Sequence, residues 1–94
     1  MKVLLIEPLK LIWEMMRPCI PVPLGLIQLA AVLEEQKIDV KIIDCTALNI
    51  RRQALAEAIR QEQPDIVGAT ALTPFLYKAV EVAEVAKDVD HRII

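Results

Sequence analysis

The sequence has 94 residues, 55% of them apolar, with one residue each of Trp, Tyr and Phe and a formal net charge of −2. This length allows one domain at most, and the scattered charges exclude the basic stripe that a nucleic-acid backbone requires. The longest stretch without a charge, residues 18–33, contains three prolines and is shorter than the about 20 apolar residues of a membrane span.

The first half of the chain predicts a strand, a long loop, a helix and a second strand. Residues 2–7 (KVLLIE) form an aliphatic run ended by Pro8, which is typical of a buried strand. The segment 7–23 carries four prolines without a clear period, and loops of that length are often functional. Residues 24–36 are apolar on all sides at first and predict a mostly buried helix with Pro23 in its first turn. Residues 39–44 (DVKIID) predict the second strand.

Two helices follow in the second half. Residues 49–63 predict an amphipathic helix with Asn49 as its N-cap and Pro64 beyond its end. Residues 74–88 predict the next helix, with Thr73 and Pro74 as its N-cap and first residue. The side chains expected to face the core are Leu55, Ala58 and Ile59 on the first of these helices and Leu76, Val80 and Ala83 on the second.

The remaining segments complete an alternation of strand and helix. Residues 65–71 (DIVGATA) predict a third strand, and residues 91–94 (HRII) the start of a fourth. Alternation of this kind implies parallel strands joined by right-handed crossovers. We therefore predict an α/β domain over residues 1–94, a Rossmann-like or flavodoxin-like parallel sheet flanked by helices, incomplete in the order β-α-β-α-β-α-β. We expect it to be the front part of a larger domain, or a fragment that another chain completes.

Ligands of open parallel sheets bind beyond the carboxyl ends of the strands, and what stands there excludes several chemistries. The chain has only Gly25 and Gly68, so it lacks the glycine-rich turn of a dinucleotide site or a P-loop. The third strand ends in Thr70 rather than in the acidic residue of a phospho-receiver domain. The single histidine, His91, lies near the far end, away from a nucleophile that it could activate.

Polar or small residues at these strand ends and helix starts form the candidate ligand site, and each also has a structural interpretation. Glu7 is either a ligand contact or a solvated carboxylate, and Asp44 either a contact or a cap of the following turn. Gly25 serves either close helix packing or close approach of a ligand, and Thr70 is less easily explained by capping. The full set of candidates is Glu7, Pro8, Pro23, Leu24, Gly25, Asp44, Thr70, Ala71, Leu72 and Thr73.

Four segments in register resemble the N-terminal cobalamin-binding domain of cobalamin-dependent radical-SAM proteins. They are KVLLIEP, VPLGLIQLAAVLEE, VKIID and PDIVGATALTP, and together they cover nearly the whole chain. Within the last of them, Thr70-Ala71-Leu72 resembles the Ser-x-Leu element of cobalamin domains. The resemblance implies a cobalamin-binding module in which the nucleotide tail lies in a groove beside this strand end and the Thr70 hydroxyl contacts the benzimidazole of the tail.

The resemblance departs from many cobalamin domains at the cobalt ligand. Where their Asp-x-His-x-x-Gly pattern would end at Gly25, this chain has Ile20 and Val22 in the Asp and His positions. The axial imidazole and its hydrogen-bonding partner are therefore both missing, as is common in the radical-SAM group. The resemblance then implies a cobalamin held without a protein imidazole, above apolar side chains of the long loop or a water. Trp13, Met15 and Met16 are either packing residues or part of that apolar floor.

Other expectations concern redox context and partners. Cys19 and Cys45 are too few for a disulfide framework or a zinc site, which favours a reduced, cytoplasmic setting. Cys19 is expected to be inert. The three-cysteine motif of radical-SAM domains is absent, so an iron–sulfur cluster and S-adenosylmethionine would belong to a downstream domain, and this chain would not be catalytic alone.

A second hypothesis needs no cofactor. A short parallel sheet leaves an unpaired edge and uncovered aliphatic surface, and both favour association with other chains. The chain would then be a ligand-free Rossmann-like interaction domain that dimerises or docks onto a partner. Cobalamin binding separates the two hypotheses.

Overall fold

The computed structural model describes residues 1–10 and 22–94. Its elements are β1 (Lys2–Glu7), α1 (Leu24–Glu35), β2 (Asp39–Asp44), α2 (Cys45–Leu48), α3 (Arg52–Glu62), β3 (Ile66–Ala69), a 3-10 turn (Thr73–Phe75) and α4 (Leu76–Val89). The expectations for Trp13, Met15, Met16, Cys19 and Ile20 lie outside the described residues.

One parallel sheet of three strands, in the order β2-β1-β3, organises the domain. In its register, Glu7 lies opposite Asp44 on one side of β1 and Ile6 lies opposite Ala69 on the other. β1 is central and buried on both faces, which is why its sequence is a continuous aliphatic run. The predicted α/β layout with a parallel sheet is confirmed.

Of the predicted fourth strand, the described residues show only the first backbone pairing with β3. The Ile94 N–H donates to the Asp65 carbonyl at 3.1 Å, and the Val67 N–H donates to the Ile94 carbonyl at 2.9 Å. These are the two bonds of a parallel pairing on the free side of β3. They extend the sheet order to 2-1-3-4, which is the flavodoxin-like order with its switch point between β1 and β3.

The two faces of the sheet carry separate cores. Leu4 and Ile6 of β1 pack on α3 and α4, whereas Val3 and Leu5 point to α1, as the period of two requires. Members of the larger core include Ile43, Cys45, Leu55, Ile59, Val82, Val85, Ala86 and Ile93.

Helices α1 and α4 both differ from expectation in the side chains that they bury. In α1 only Leu26 is buried, while Leu24, Leu29 and Val32 are more than half exposed, so the prediction of a mostly buried helix is wrong. In the described part of the chain, this helix packs mainly against β1 and β2, so only one of its sides is covered.

The predicted inner face of α4 is also wrong. Val82, Val85 and Ala86 are buried, whereas Leu76 and Val80 are 56% and 49% exposed and Ala83 is exposed. The apolar residues of this helix surround it, so periodicity alone left the inward face ambiguous. On α3 the predicted Leu55 and Ile59 are buried, and Ala58 packs partly against them.

The helix starts also differ from the predictions. Asn49 is not the N-cap of α3 but the C-cap of the short α2, with a left-handed φ of 52°, and α3 begins at Arg52. Thr73 and Pro74 form the 3-10 turn before α4, and no side-chain bond caps that turn. Pro23 immediately precedes α1 rather than lying inside its first turn. The short α2 and the 3-10 turn each precede the longer helix, which accounts for the later starts of α3 and α4.

Candidate functional site

The side chain of Thr46, in α2, bonds the backbone of the segment that follows β1. The Lys10 N–H donates to the Thr46 hydroxyl at 3.1 Å, and that hydroxyl donates to the Pro8 carbonyl at 3.0 Å. Thr46 is 2% exposed and Pro8 is fully buried. The chain leaving β1 is therefore fixed to the end of β2, which holds the carboxyl edge of the sheet in a defined shape.

Glu7 connects the end of β1 to the end of β3. The Thr70 hydroxyl donates to Oε2 of Glu7 at 2.7 Å, and the ammonium of Lys10 pairs with Oε1. The side chains of Lys10 and Glu7 are only 7% and 13% exposed. The Lys10 ammonium also lies 5.5 Å from the centre of the Phe75 ring, within cation–π range. We call Glu7, Lys10 and Thr70 the switch-point cluster, since they stand between β1 and β3.

The interpretation of Glu7 as a solvated carboxylate is therefore wrong. Its side chain is mostly buried and bonded on both oxygens. Asp44, its neighbour across the sheet, instead caps α2: its Oδ1 accepts from the N–H groups of Thr46 and Ala47, each at 3.1 Å. The capping interpretation of Asp44 is confirmed, and its carboxylate is committed to the backbone.

The rim of this edge carries exposed apolar groups. Because α1 follows β1 and runs back along the sheet, its first residues lie at the carboxyl edge. Leu24 at the start of α1 and Leu72 after β3 are 66% and 55% exposed, and Ala71 and Thr73 are exposed as well. A Cβ added to Gly25 would have no described atom within 4 Å. Among residues 1–10 and 22–94, none packs closely on Gly25.

Sequence reasoning missed Lys10 and Thr46. Both are buried polar residues; Thr46 follows the end of the second strand and Lys10 lies in the long loop, but neither was named as a candidate. A lysine three residues after Glu7 in an apolar loop was the available signal for an ion pair.

Charged groups with shifted pKa values cluster at the opposite, amino edge of the sheet. Hydrogen bonds from Lys2 and Lys41 lower the pKa of Glu62, and Glu62 in turn raises the pKa of Lys2. Hydrogen bonds from Arg92 lower the pKa of Asp90 to about 2. A cavity of about 610 Å³ lined by Asp65, Asp90 and Ile94 opens at this same edge. Because open parallel sheets bind ligands at the other edge, we assign these groups to structure.

Burial raises the pKa of the Cys45 thiol to about 12, with smaller contributions from the charges of Asp44 and Glu7. The folded chain therefore holds this proton more tightly than the unfolded chain, whose thiol has the ordinary value of 9.0. The free energy of unfolding should fall as the pH rises above 9, by about 1.4 kcal/mol between pH 8 and pH 10. Urea unfolding of Cys19→Ser at both pH values measures this loss. The loss should disappear in Cys19→Ser/Cys45→Ala, and its persistence there would contradict the assignment to Cys45.

The family described as B12 binding domain matches residues 18–94. This chain belongs to the B12-binding domain family. The resemblance to a cobalamin-binding domain is confirmed, and cobalamin is the cofactor of the family.

Curated relatives are much longer than this chain. An uncharacterized methyltransferase of Pyrococcus horikoshii is 42% identical over 71 residues, which is 76% of this chain and 15% of the relative. The anaerobic magnesium-protoporphyrin IX monomethyl ester cyclase of Rubrivivax gelatinosus is 38% identical over 60% of this chain, which is 10% of that protein. The cyclase of the same name from Cereibacter sphaeroides is 43% identical over 54% of this chain, which is 8% of that protein. No solved structure gives a significant match.

Within residues 1–10 and 22–94, no helix is long and apolar enough to cross a membrane. Within the same ranges, no group of three or more His, Cys, Asp or Glu side chains could hold a metal ion.

The residues present fit cobalamin. A corrin is a broad ring with apolar faces and polar amides at its periphery, and this edge offers exposed Leu24 and Leu72, open space above Gly25, and one half-buried hydroxyl at the switch point. Pockets with apolar walls and few fixed polar groups are the usual form of cofactor sites.

Proposed function

We propose that this chain is the cobalamin-binding module of a radical-SAM enzyme and holds the cofactor at the carboxyl edge of its sheet. The observation that carries the proposal is the switch-point cluster, where the Thr70 hydroxyl is fixed between β1 and β3 in a chain of the B12-binding domain family. In a 2-1-3-4 sheet this is the position at which ligands bind. The long relatives, one a methyltransferase and two cyclases, support a module within a larger enzyme.

The candidate residues divide into four groups. Thr70, with Ala71, Leu72 and Thr73, would line the groove for the nucleotide tail. Pro23, Leu24 and Gly25 would lie against the corrin, and Glu7 and Pro8 would shape the floor between them. Asp44 would act through the start of α2, which it caps, rather than by direct contact.

We propose further that no protein imidazole reaches cobalt. The one histidine of the sequence, His91, is exposed and follows α4 at the amino edge, and Val22, in the position of the axial ligand, is 63% exposed. When bound, cobalamin would supply methyl transfer or the tuning of a radical, since the hard chemistry is the cofactor's. The iron–sulfur cluster and S-adenosylmethionine would be held by another domain, downstream, whose surface meets the upper face of the corrin.

Titration of the chain with hydroxocobalamin, followed by absorbance and gel filtration, tests the proposal. We expect the pigment to elute with the protein. Thr70→Tyr should weaken binding by about tenfold or more, since a phenol would fill the groove and overpacking costs about 1–3 kcal/mol. Gln61→Tyr places the same side chain on an exposed site at the amino edge and should bind like the parent. A chain that circular dichroism shows to be folded, and that leaves all cobalamin free, would overturn the proposal.

One observation favours a second function, association with another protein surface. Leu76, Tyr77 and Val80 of α4 are about half exposed or more, and among the described residues the outer edge of β3 pairs only with Ile94. We propose that a downstream radical-SAM domain or a second copy of the chain covers these groups. Sedimentation of the isolated chain decides between them, because self-association would give a dimer without any added partner.

A further inference from the structure

The switch-point cluster fixes the direction of its hydrogen bonds. One carboxylate oxygen of Glu7 faces the Lys10 ammonium and the other faces the Thr70 hydroxyl at 2.7 Å. An ammonium group can only donate, and a carboxylate paired with it can only accept. The bond between Thr70 and Glu7 must therefore use the hydroxyl hydrogen of Thr70.

A threonine hydroxyl has one hydrogen and two lone pairs. With its hydrogen directed to Glu7, Thr70 offers only lone pairs to anything that enters the groove. Lys10 strengthens this arrangement because it is buried and bonds the other carboxylate oxygen, which holds the Glu7 side chain in one orientation. The polarity of the groove at this point is thus set by two residues that need not touch a ligand there.

We propose that Glu7 and Lys10 are positioning residues that hold the Thr70 hydroxyl as a hydrogen-bond acceptor, so that the bound ligand must present an N–H or O–H group to it. This inference rests on the proposed cobalamin function. Carboxamide and ribose groups of cobalamin are such donors. The benzimidazole ring nitrogen has a lone pair and no hydrogen, so it is not the partner of Thr70. The contact with the tail therefore differs from a hydrogen bond to that nitrogen.

Glu7→Gln should reverse the direction of the hydrogen bond between residue 7 and Thr70. Lys10 can only donate, so it keeps the amide oxygen of Gln, and the NH2 group turns to Thr70. Thr70 must then accept from the amide, which frees its hydrogen for the ligand. Only in this variant should Thr70 be able to donate to a ring nitrogen.

Two cobamides test the inference: cobalamin, and a cobamide whose tail ends in a phenol-derived base without a ring nitrogen. The two tails also differ in size, so the reference is the ratio of their affinities in the parent chain, which Thr70→Val should leave unchanged within about twofold. In Glu7→Gln this ratio should shift by about threefold to tenfold in favour of cobalamin, the contribution of one net hydrogen bond. Glu7→Gln/Thr70→Val should return it to the value of the parent. A merely structural role of Glu7 would weaken both ligands together and leave the ratio unchanged.

The parent chain alone can overturn the inference, which matters if Glu7→Gln does not fold. A parent that prefers cobalamin severalfold, with the preference lost in Thr70→Val, would show that Thr70 already donates to the ring nitrogen. Failure of both cobamides to bind would overturn the proposed function, and with it the ligand part of this inference.

A ligand-free measurement tests the positioning part by itself. Urea midpoints of the parent, Glu7→Gln, Thr70→Val and the double variant form a double-mutant cycle. We expect the shift of the double variant to be smaller than the sum of the two single shifts, because each single change loses the charge-assisted bond from Thr70 to the Glu7 carboxylate. Additive shifts would show that Glu7 does not hold Thr70, whatever the cofactor result.

Discussion

Glu7→Ala should destabilise the domain more than any other substitution of a charged residue that we consider. It would leave the Lys10 ammonium, which is 7% exposed, without its counter-charge, and would remove the acceptor of Thr70. Breaking a buried ion pair by removing one partner costs about 3–5 kcal/mol. For a domain of this size we expect a fall of at least about 12 °C in Tm, measured by circular dichroism.

Two variants control this prediction. Glu57→Ala breaks an ion pair with Arg60 in which both side chains are more than half exposed, and it should cost less than about 1 kcal/mol. Glu7→Leu/Lys10→Met removes both buried charges and should recover much of the loss, since apolar replacement of a buried pair is often neutral. If Glu7→Ala lowered the stability as little as Glu57→Ala, the assignment of a buried ion pair between Glu7 and Lys10 would be wrong.

Val82→Ala and Val80→Ala should differ sharply although both replace the same side chain on α4. Val82 is 3% exposed and Val80 is 49% exposed. The buried change removes apolar contacts and leaves a cavity, and should cost about 2 kcal/mol. The exposed change loses little burial and gains helix propensity, so it should lie within about 0.5 kcal/mol of the parent.

Chemical unfolding of the two variants in parallel gives both free energies. The result also tests which face of α4 points inward, because the sequence pattern placed Val80 in the core. Equal losses would show that α4 is rotated from the position described, and a larger loss for Val80→Ala would restore the face predicted from the sequence.

Local sequence signals were sufficient to predict a parallel sheet and the alternation of strands and helices along the chain. The aliphatic run at β1 and the alternation of strand and helix predict a parallel α/β fold, because a strand covered on both faces must be apolar throughout. The capping role of Asp44 was also accessible, since its bonds reach only two and three residues along the chain.

The sequence predicted candidate residues at the strand ends but not the contacts between them. Thr70 and Glu7 were recognised as strand-end residues, and the structure brings their side chains together. Their mutual bond spans 63 residues in the chain, and no local pattern encodes a contact of that length. Lys10 was missed for the same reason, because only its pairing with Glu7 and its position near Phe75 explain a buried lysine.

The inward faces of the helices required the tertiary structure. Apolar residues surround α1 and α4, so several rotations would satisfy the same sequence. The sheet selects one of them, placing Leu26 of α1 and Val82 of α4 inward and leaving Leu24 and Val80 outside. The sequence by itself determined the strands and their parallel direction, since these follow from local composition and from the alternation of strand and helix, and it predicted a ligand at the carboxyl edge. Packing between distant segments decided which side chains meet there, because that depends on how the crossovers bring the ends of β1 and β3 together.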